Sequence, residues 1–220
     1  MKNVIAIVIN LALVILLEAC ESKRNPLPYY GETEIVSVQQ ADGSHNEQLR
    51  YMPVPKFLLT NQDSLPIKRS DFEGKVTIVD FFFTECPSIC PMLTSQMARL
   101  QKEFDNAGLR EKIQFVSISV KPSSDSPKTL RAYAERLGAD LRNWTFLTGR
   151  EEDIYPLAEK GFFLTAFPSD SAQGGVFHTD QVTLLDSEMK IRGYYEGTST
   201  KAMDSLFIDA KDLITSLNHP

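Results

Sequence analysis

Two cysteines in the segment FFFTECPSICPML, Cys86 and Cys90, have three residues between them, and a proline follows each cysteine. Thiols at this spacing suit three kinds of chemistry: a structural disulfide, a dithiol that exchanges electrons, or a pair of soft metal ligands. The structural disulfide is the weakest interpretation, because so short a closed loop removes little entropy from the unfolded chain. The other two interpretations require different partners elsewhere in the sequence.

A distant histidine favours the metal site over the dithiol. Thioredoxin-type redox sites have two residues between their cysteines and a proline facing them, whereas the segment GGVFHTDQVTLL (174–185) has no proline and carries His178. The other two histidines, His45 and His219, lie in the polar N-terminal part and next to the chain end. Two thiolates and one imidazole form a soft site of low coordination that suits Cu(I) and accepts Cu(II). Structural zinc usually requires four ligands.

Thiol–disulfide exchange remains an alternative, with Cys86 as the attacking thiol and Cys90 as the resolving thiol. Asp80, just before the cysteine loop, could tune the thiols or orient a ligand. An equally good interpretation is that it is a strand-end aspartate with only a structural role. We expect Glu85 to face solvent and Met97 to belong to the core.

The elements around the cysteines predict their position in the fold. The apolar run VTIVDFFF (76–83) is typical of a strand buried on both faces. Apolar residues at helical spacing follow the cysteines and end near Gly108. The pair is therefore predicted at a strand–helix junction, with Pro91 as the first helical residue. A helix N-terminus favours thiolate over thiol, so we expect lowered cysteine pKa values.

The remaining segments alternate between strands and helices. We predict strands at 34–38, 113–120 and 144–148, and a hairpin at 178–197. A loop and helix cap at 121–128 lead into a helix from Ser126–Pro127 to Gly138, and a helix at 151–162 is interrupted at Pro156. A last helix from about Thr200 buries residues including Phe207 and Leu217. This order predicts an α/β domain with a thioredoxin-like mixed sheet flanked by helices on both faces.

The N-terminus has the pattern of an export signal. Lys2 precedes an apolar stretch from Val4 to Leu17, which is short for a membrane span and typical of a signal peptide. LEAC resembles the lipobox of bacterial lipoproteins, with Glu18 as a departure, and predicts lipidation of Cys20. We therefore predict a signal peptide at 1–20, a polar tether at 21–50 and a domain at 51–218. Cysteines in such a chain face an oxidising compartment.

The net charge is −6, which argues against nucleic acid as a partner. The composition, 42% hydrophobic and 24% charged, is ordinary for a globular protein.

Four segments together, VDFFFTECPSICPMLTSQM, FVSISVKP, WTFLTG and FHTD, resemble the Sco/SenC family from about residue 51 to 217. Its members are membrane-tethered, thioredoxin-like proteins that help to build the copper centre of cytochrome c oxidase. The resemblance implies copper, as Cu(I) or Cu(II), held by Cys86, Cys90 and His178, with the thiols reduced before loading. Lys121 departs from the acidic residue that family members usually have in an SVDP-like motif.

The same resemblance implies partners and a location. The expected partners are the copper-bearing oxidase subunit and a protein that reduces the thiols, with a lipid anchor holding the chain to the membrane of a bacterial cell envelope. The domain would face the periplasm or extracytoplasmic space. Delivery of a metal needs no substrate turnover, so enzyme activity would come only from the alternative role, reduction of the oxidase's own copper-ligand cysteines.

Overall fold

A computed structural model describes residues 25–86, 90–169, 171–172 and 174–217. The predicted signal peptide with Cys20, residues 87–89, and His219 lie outside these ranges. Across the described part of the chain, every helix is too short or too polar to cross a membrane.

A seven-stranded mixed sheet forms the centre of the domain. The strands of the described residues are β1 Thr33–Gln39, β2 His45–Tyr51, β3 Leu58–Asn61, β4 Pro66–Lys68, β5 Val76–Phe82, β6 Ile113–Ser119, β7 Trp144–Thr148, β8 Ala166–Pro168, β9 Val176–His178, β10 Gln181–Leu185 and β11 Ile191–Glu196. The sheet order is β11-β10-β5-β6-β7-β3-β4. Strands β5, β6 and β7 are parallel, and the other neighbouring strands are antiparallel.

Helices lie on both faces of this sheet, as predicted. The four α-helices of the described residues are α1 Cys90–Asn106, α2 Pro127–Leu137, α3 Glu151–Pro156 and α4 Thr200–Leu217. Successive side chains of β5 point to opposite faces. Phe82 packs against Tyr133 of α2, with ring centroids 5.3 Å apart, and Phe81 packs edge-on against Phe162, just after α3, also at 5.3 Å.

Buried strands account for the apolar runs in the sequence. All seven residues of β5 and all seven of β6 are buried. Because both strands are covered on both faces and hydrogen-bonded on both edges, apolar residues replace the in–out alternation of a half-exposed strand.

Local sequence also explains the limits of two helices. Ser126 caps α2, accepting a hydrogen bond from the Thr129 amide at 3.2 Å, and Gly138 ends it in a left-handed conformation, φ 70°. The α-helix from Glu151 is interrupted at Pro156, as predicted, because proline has no amide hydrogen to donate, and the chain continues as a π-helical turn.

Three predicted details differ from the structure. Helix α1 begins at Cys90, one residue before Pro91, which the pre-proline preference of Cys90 did not indicate. The N-terminal part contains the expected strand at 34–38 within β1. It also contains β2, which pairs with β1 and was not predicted because its residues are mostly polar. Leu217, predicted to be buried, is 41% exposed because α4 ends there, and Phe207 is partly buried.

The position of His178 in the fold is also corrected. It was predicted at the entry to the 178–197 hairpin, but it is the last residue of β9 in the separate hairpin β8–β9, where it pairs with Ala166. The expected hairpin begins only at Gln181.

Candidate metal centre

Three elements bring the predicted ligands to one end of the parallel strands. Cys86 follows the carboxyl end of β5 in a turn, where its amide donates to the Phe83 carbonyl at 3.3 Å. Cys90 is the first residue of α1, and His178 is the last residue of β9. Cys90 and His178, 88 positions apart in the sequence, therefore meet at one strand–helix junction.

The geometry of the three side chains suits a small ion. The Sγ atoms of Cys86 and Cys90 and one ring nitrogen of His178 lie within 4.8 Å of one another. The Cys90 Sγ to His178 Nε2 distance is 3.5 Å, and no disulfide joins the two cysteines. Metal–nitrogen and metal–sulfur bonds of roughly 2.0–2.3 Å place ligand atoms roughly 3.5–4.5 Å apart. The structure thus brings together the residues predicted from the sequence, at separations that a metal ion could bridge.

A backbone hydrogen bond orients the imidazole. His178 Nδ1 lies 2.9 Å from the Thr179 carbonyl oxygen, which can only accept, so the ring hydrogen is on Nδ1 and the Nε2 lone pair is directed at the thiols. The Phe83 ring packs edge-on against the imidazole, with centroids 5.6 Å apart. Burial lowers the pKa of His178, opposed by the Thr179 carbonyl and the Asp180 carboxylate, and this favours the neutral, ligating form.

The Cys90 thiol does not have the predicted lowered pKa. Burial raises the pKa of Cys90, and a hydrogen bond with Cys86 and the nearby charges of Cys86 and Asp80 raise it further, while a backbone hydrogen bond with Phe83 opposes the change. Desolvation outweighs the helix N-terminus because Cys90 is only 2% exposed. Cys86 is the more exposed thiol, at 9%. Without a metal, Cys90 is a protonated thiol, and a metal must displace that proton.

Asp80 lies on β5 beneath the site and is fully buried. Its Oδ1 accepts a hydrogen bond from Ser117 at 2.5 Å, and its Oδ2 has no hydrogen-bond partner. Burial raises the pKa of Asp80 to about 7, although the Ser117 bond lowers it. The residue is more than a hydrogen-bonded strand end, because half of its carboxyl group is unsatisfied.

The other residues considered from the sequence stand apart from the group. Glu85 faces solvent as predicted, with its side chain 69% exposed and 3.7 Å from Lys121. Met97 is fully buried in the core, as predicted. His45 lies in the β1–β2 hairpin, where its Nδ1 is 3.3 Å from the Ser37 hydroxyl. Within the described ranges, no further His, Cys, Asp or Glu joins the three candidate ligands.

Sequence reasoning missed two residues that shape the site. Gly174 has φ 84°, and a Cβ there would lie 2.6 Å from the Phe83 ring, so only glycine lets this loop approach Phe83 closely. Asp125, in the segment predicted as a loop and helix cap, is fully buried against the chain that leads to Cys86. The glycine pair at 174–175 was a visible signal, whereas nothing in the sequence distinguished Asp125 from a capping residue.

A mixed α/β domain with two cysteine sulfurs and one imidazole within bonding reach of a common point belongs to the class of metal-binding thiol proteins. The SCO1/SenC family model matches residues 46–207, and the chain belongs to this family.

Solved structures and a curated relative support the assignment. A SCO1/SenC family lipoprotein from Bacillus anthracis str. Ames is 35% identical, with TM-score 0.68, over 73% of this chain and 94% of that one. BsSco, described as having a disulfide switch and as a member of the Sco family of cytochrome c oxidase assembly proteins, is 30% identical, with TM-score 0.66, over 75% and 95%. A Stutzerimonas stutzeri protein named as copper-binding is 31% identical over 66% of this chain and 70% of that protein. The two structures confirm the predicted thioredoxin-like α/β fold.

Proposed function

We propose that this protein binds copper through Cys86, Cys90 and His178 and passes it to the copper centre of a cytochrome c oxidase. The observation that carries the proposal is the mutual approach of the three ligand atoms within 4.8 Å. The copper-binding name of one relative and the oxidase-assembly description of another support the metal and the destination.

The chemistry of the donors fits copper as cargo. Two sulfurs and one imidazole nitrogen are soft ligands, and three ligands satisfy Cu(I), which accepts low coordination. Copper binding displaces the thiol protons, and the Nε2 lone pair of His178 is already directed at the site. Low coordination also leaves room for an incoming ligand, so the ion can leave by exchange of one ligand at a time.

The test is a titration of the reduced protein with Cu(I), under anaerobic conditions, in competition with a chromogenic Cu(I) chelator. We expect one tightly held copper per chain and a thiolate-to-metal charge-transfer band when Cu(II) is bound instead. His178→Ala should weaken Cu(I) binding by at least roughly 10-fold, because loss of one of three ligands costs more than loss of an outer-shell contact. His45→Ala is the matched control, since it removes an exposed histidine from the β1–β2 hairpin. Copper retention by His178→Ala equal to that of His45→Ala would contradict the proposal.

Thiol–disulfide exchange is the second candidate, favoured by the mutual reach of the two sulfur atoms and by the disulfide switch described for BsSco. The Cys86 thiolate would attack a disulfide of the partner, and Cys90 would resolve the mixed disulfide. The products are a Cys86–Cys90 disulfide and two partner thiols, so one pair of electrons moves to the partner. Reduction of a model disulfide peptide by His178→Ala at the wild-type rate, with copper binding lost, would assign this role separately from the metal site.

We further propose an envelope location. Lipidation of Cys20, with removal of the residues that precede it, would hold the domain, residues 51–218, to the membrane through a tether at 21–50, with the site facing the periplasm or extracytoplasmic space. The description of the Bacillus anthracis relative as a lipoprotein supports this arrangement. Its partners would be the copper-bearing oxidase subunit and a thiol reductant protein. Cys20→Ala should move the protein from the membrane fraction, and continued membrane retention without lipid in mass spectrometry would contradict the anchor.

A further inference from the structure

A buried carboxylate is hydrogen-bonded to the chain just before Cys86, the first candidate ligand. Asp125, in the loop between β6 and α2, is fully buried. Its Oδ1 accepts a hydrogen bond from the Thr84 hydroxyl at 2.5 Å, and its Oδ2 accepts from the Thr84 amide at 3.1 Å. The Ser119 hydroxyl also donates to Oδ2, at 2.6 Å. One carboxylate therefore holds both hydrogen-bond donors of a single residue.

The held residue is directly connected to the site. Only Glu85 separates Thr84 from Cys86, and the turn is closed by the hydrogen bond from the Cys86 amide to the Phe83 carbonyl. The Phe83 ring contacts the imidazole of His178. A shift of Thr84 would therefore move the Cys86 sulfur and the aromatic wall of the histidine together.

The loop that carries Asp125 is itself held to the sheet by hydrogen bonds. The Asp125 amide donates to the Lys121 carbonyl at 3.0 Å, and the Lys121 amide donates to the Ser119 hydroxyl at 3.1 Å. Ser119 is the last residue of β6, the neighbour of β5 in the sheet. Through these hydrogen bonds, the end of β6 restrains the segment that carries Cys86.

We propose that Asp125 is a positioning residue for the metal centre, which uses its two hydrogen bonds to Thr84 to keep the Cys86 sulfur in reach of Cys90 and His178 before metal arrives. The inference rests on the proposed copper-binding function. Hydrogen bonds to a charged acceptor are about twice as strong as neutral ones, which suits a contact that must fix a loop. A site assembled in advance avoids paying for loop ordering when the metal binds.

The experiment compares Cu(I) affinity, by chelator competition, among variants of the full chain in the reduced state. Asp125→Asn should weaken Cu(I) binding by roughly 10-fold, the lower end of the effect of losing an outer-shell partner of a metal ligand, because Asp125 acts on Cys86 only through Thr84. Thr84→Val removes only the hydroxyl bond and should have a smaller effect in the same direction, whereas Thr84→Ser keeps both donors and should bind like the wild type. The thiolate-to-Cu(II) charge-transfer band should shift or broaden in Asp125→Asn, because the Cys86 sulfur is no longer held.

A matched control separates positioning from general stability. Asp186→Asn alters another buried aspartate, in the turn between β10 and β11 at the amino end of β5, away from the candidate ligands. It should lower the unfolding midpoint and leave Cu(I) affinity and the charge-transfer band unchanged.

Three outcomes would be decisive. If the wild type binds no Cu(I), the proposed function fails regardless of Asp125. If the wild type binds Cu(I) and both Asp125→Asn and Thr84→Val bind it equally well, the positioning role is refuted while the function stands. If Asp125→Asn does not fold, Thr84→Val and Thr84→Ser carry the test, and equal affinity of these two variants refutes the role of the hydroxyl bond.

Discussion

We predict that replacing Asp80 by asparagine changes how the stability of the reduced, metal-free protein depends on pH. The free energy of unfolding of the variant minus that of the wild type should be larger at alkaline than at acidic pH. Asp80 is fully buried, and its Oδ2 has no hydrogen-bond partner. Ionisation therefore places a charge in the core with only the Ser117 hydroxyl to stabilise it among side chains. Asparagine has nearly the same shape and cannot ionise, so the variant removes the charge and preserves the packing.

The magnitude follows from the pKa of Asp80, which burial raises from 3.8 to about 7. At a pH below 3.8 the carboxyl is protonated in both the folded and the unfolded chain and contributes no pH dependence. Between those two values the unfolded chain releases the proton and the folded chain retains it, so stability falls as pH rises. Above about pH 7 the loss is complete and amounts to about 4 kcal/mol, at ~1.4 kcal/mol for each pH unit. That is a large part of the ~5–15 kcal/mol by which a domain is usually stable.

Urea unfolding of wild type and Asp80→Asn at pH 4 and pH 8 measures this difference. The asparagine amide adds its own unsatisfied donor, costing ~1–3 kcal/mol, but this cost is the same at both pH values and cancels. The free-energy difference between variant and wild type should therefore shift by about 4 kcal/mol in favour of the variant from pH 4 to pH 8. Glu111→Gln, an exposed site, should shift by less than ~0.5 kcal/mol. A shift below ~1 kcal/mol for Asp80→Asn would refute the raised pKa of the buried carboxyl.

Two further substitutions test the packing around the domain. Arg192→Met should lower the free energy of unfolding by about 3 kcal/mol in urea titrations, because it leaves the largely buried Asp186 carboxylate without its cation; an unchanged midpoint would contradict this. Gly197→Ala should cost ~1–3 kcal/mol in thermal unfolding, because the added Cβ would lie 2.6 Å from Leu93 and 2.7 Å from the Asp180 carbonyl oxygen. A melting temperature equal to that of the wild type would contradict this prediction, because Leu93 and the Asp180 carbonyl would then have moved aside without cost.

The central layer of the fold could be predicted because its segments carry local signals. The run predicted as a strand at 113–120 forms β6 over Ile113–Ser119, and the Ser126–Pro127 pair begins α2 as expected. In each case a short stretch of sequence contains its own physical cause: continuous apolar side chains for a strand covered on both faces, or a capping hydroxyl followed by proline for a helix start.

The hairpin that carries His178 had no such signal. Strands β8 and β9 have three residues each, too few to establish a two-residue alternation. Their pairing depends on a loop with positive φ at Gly174 and Gly175 and on contacts with Phe83, which are tertiary. Residue types and spacing therefore predicted which side chains meet, whereas the element that presents the imidazole depended on packing between distant segments.

The raised pKa of Cys90 links the two proposed roles. The helix N-terminus was expected to favour the thiolate, but a thiol that is 2% exposed loses more from desolvation than the helix end returns. Cys90 is consequently a poor nucleophile on its own, because the thiolate is the reactive form. The more exposed Cys86 is left as the attacking thiol in exchange, and Cys90 as the one that resolves.

The same burial bears on metal selection and release. A thiolate at Cys90 is stable only when a positive charge replaces its proton, so an ion that enters the site must compete with protons as well as with other ligands. A soft ion that bonds strongly to sulfur overcomes this competition, while a hard ion that prefers oxygen does not. Reprotonation of Cys90 as the ion leaves would then favour transfer to a partner whose ligands are already deprotonated. Burial of Cys90 therefore favours release of the metal, and this suits a protein that gives its metal away better than one that keeps it.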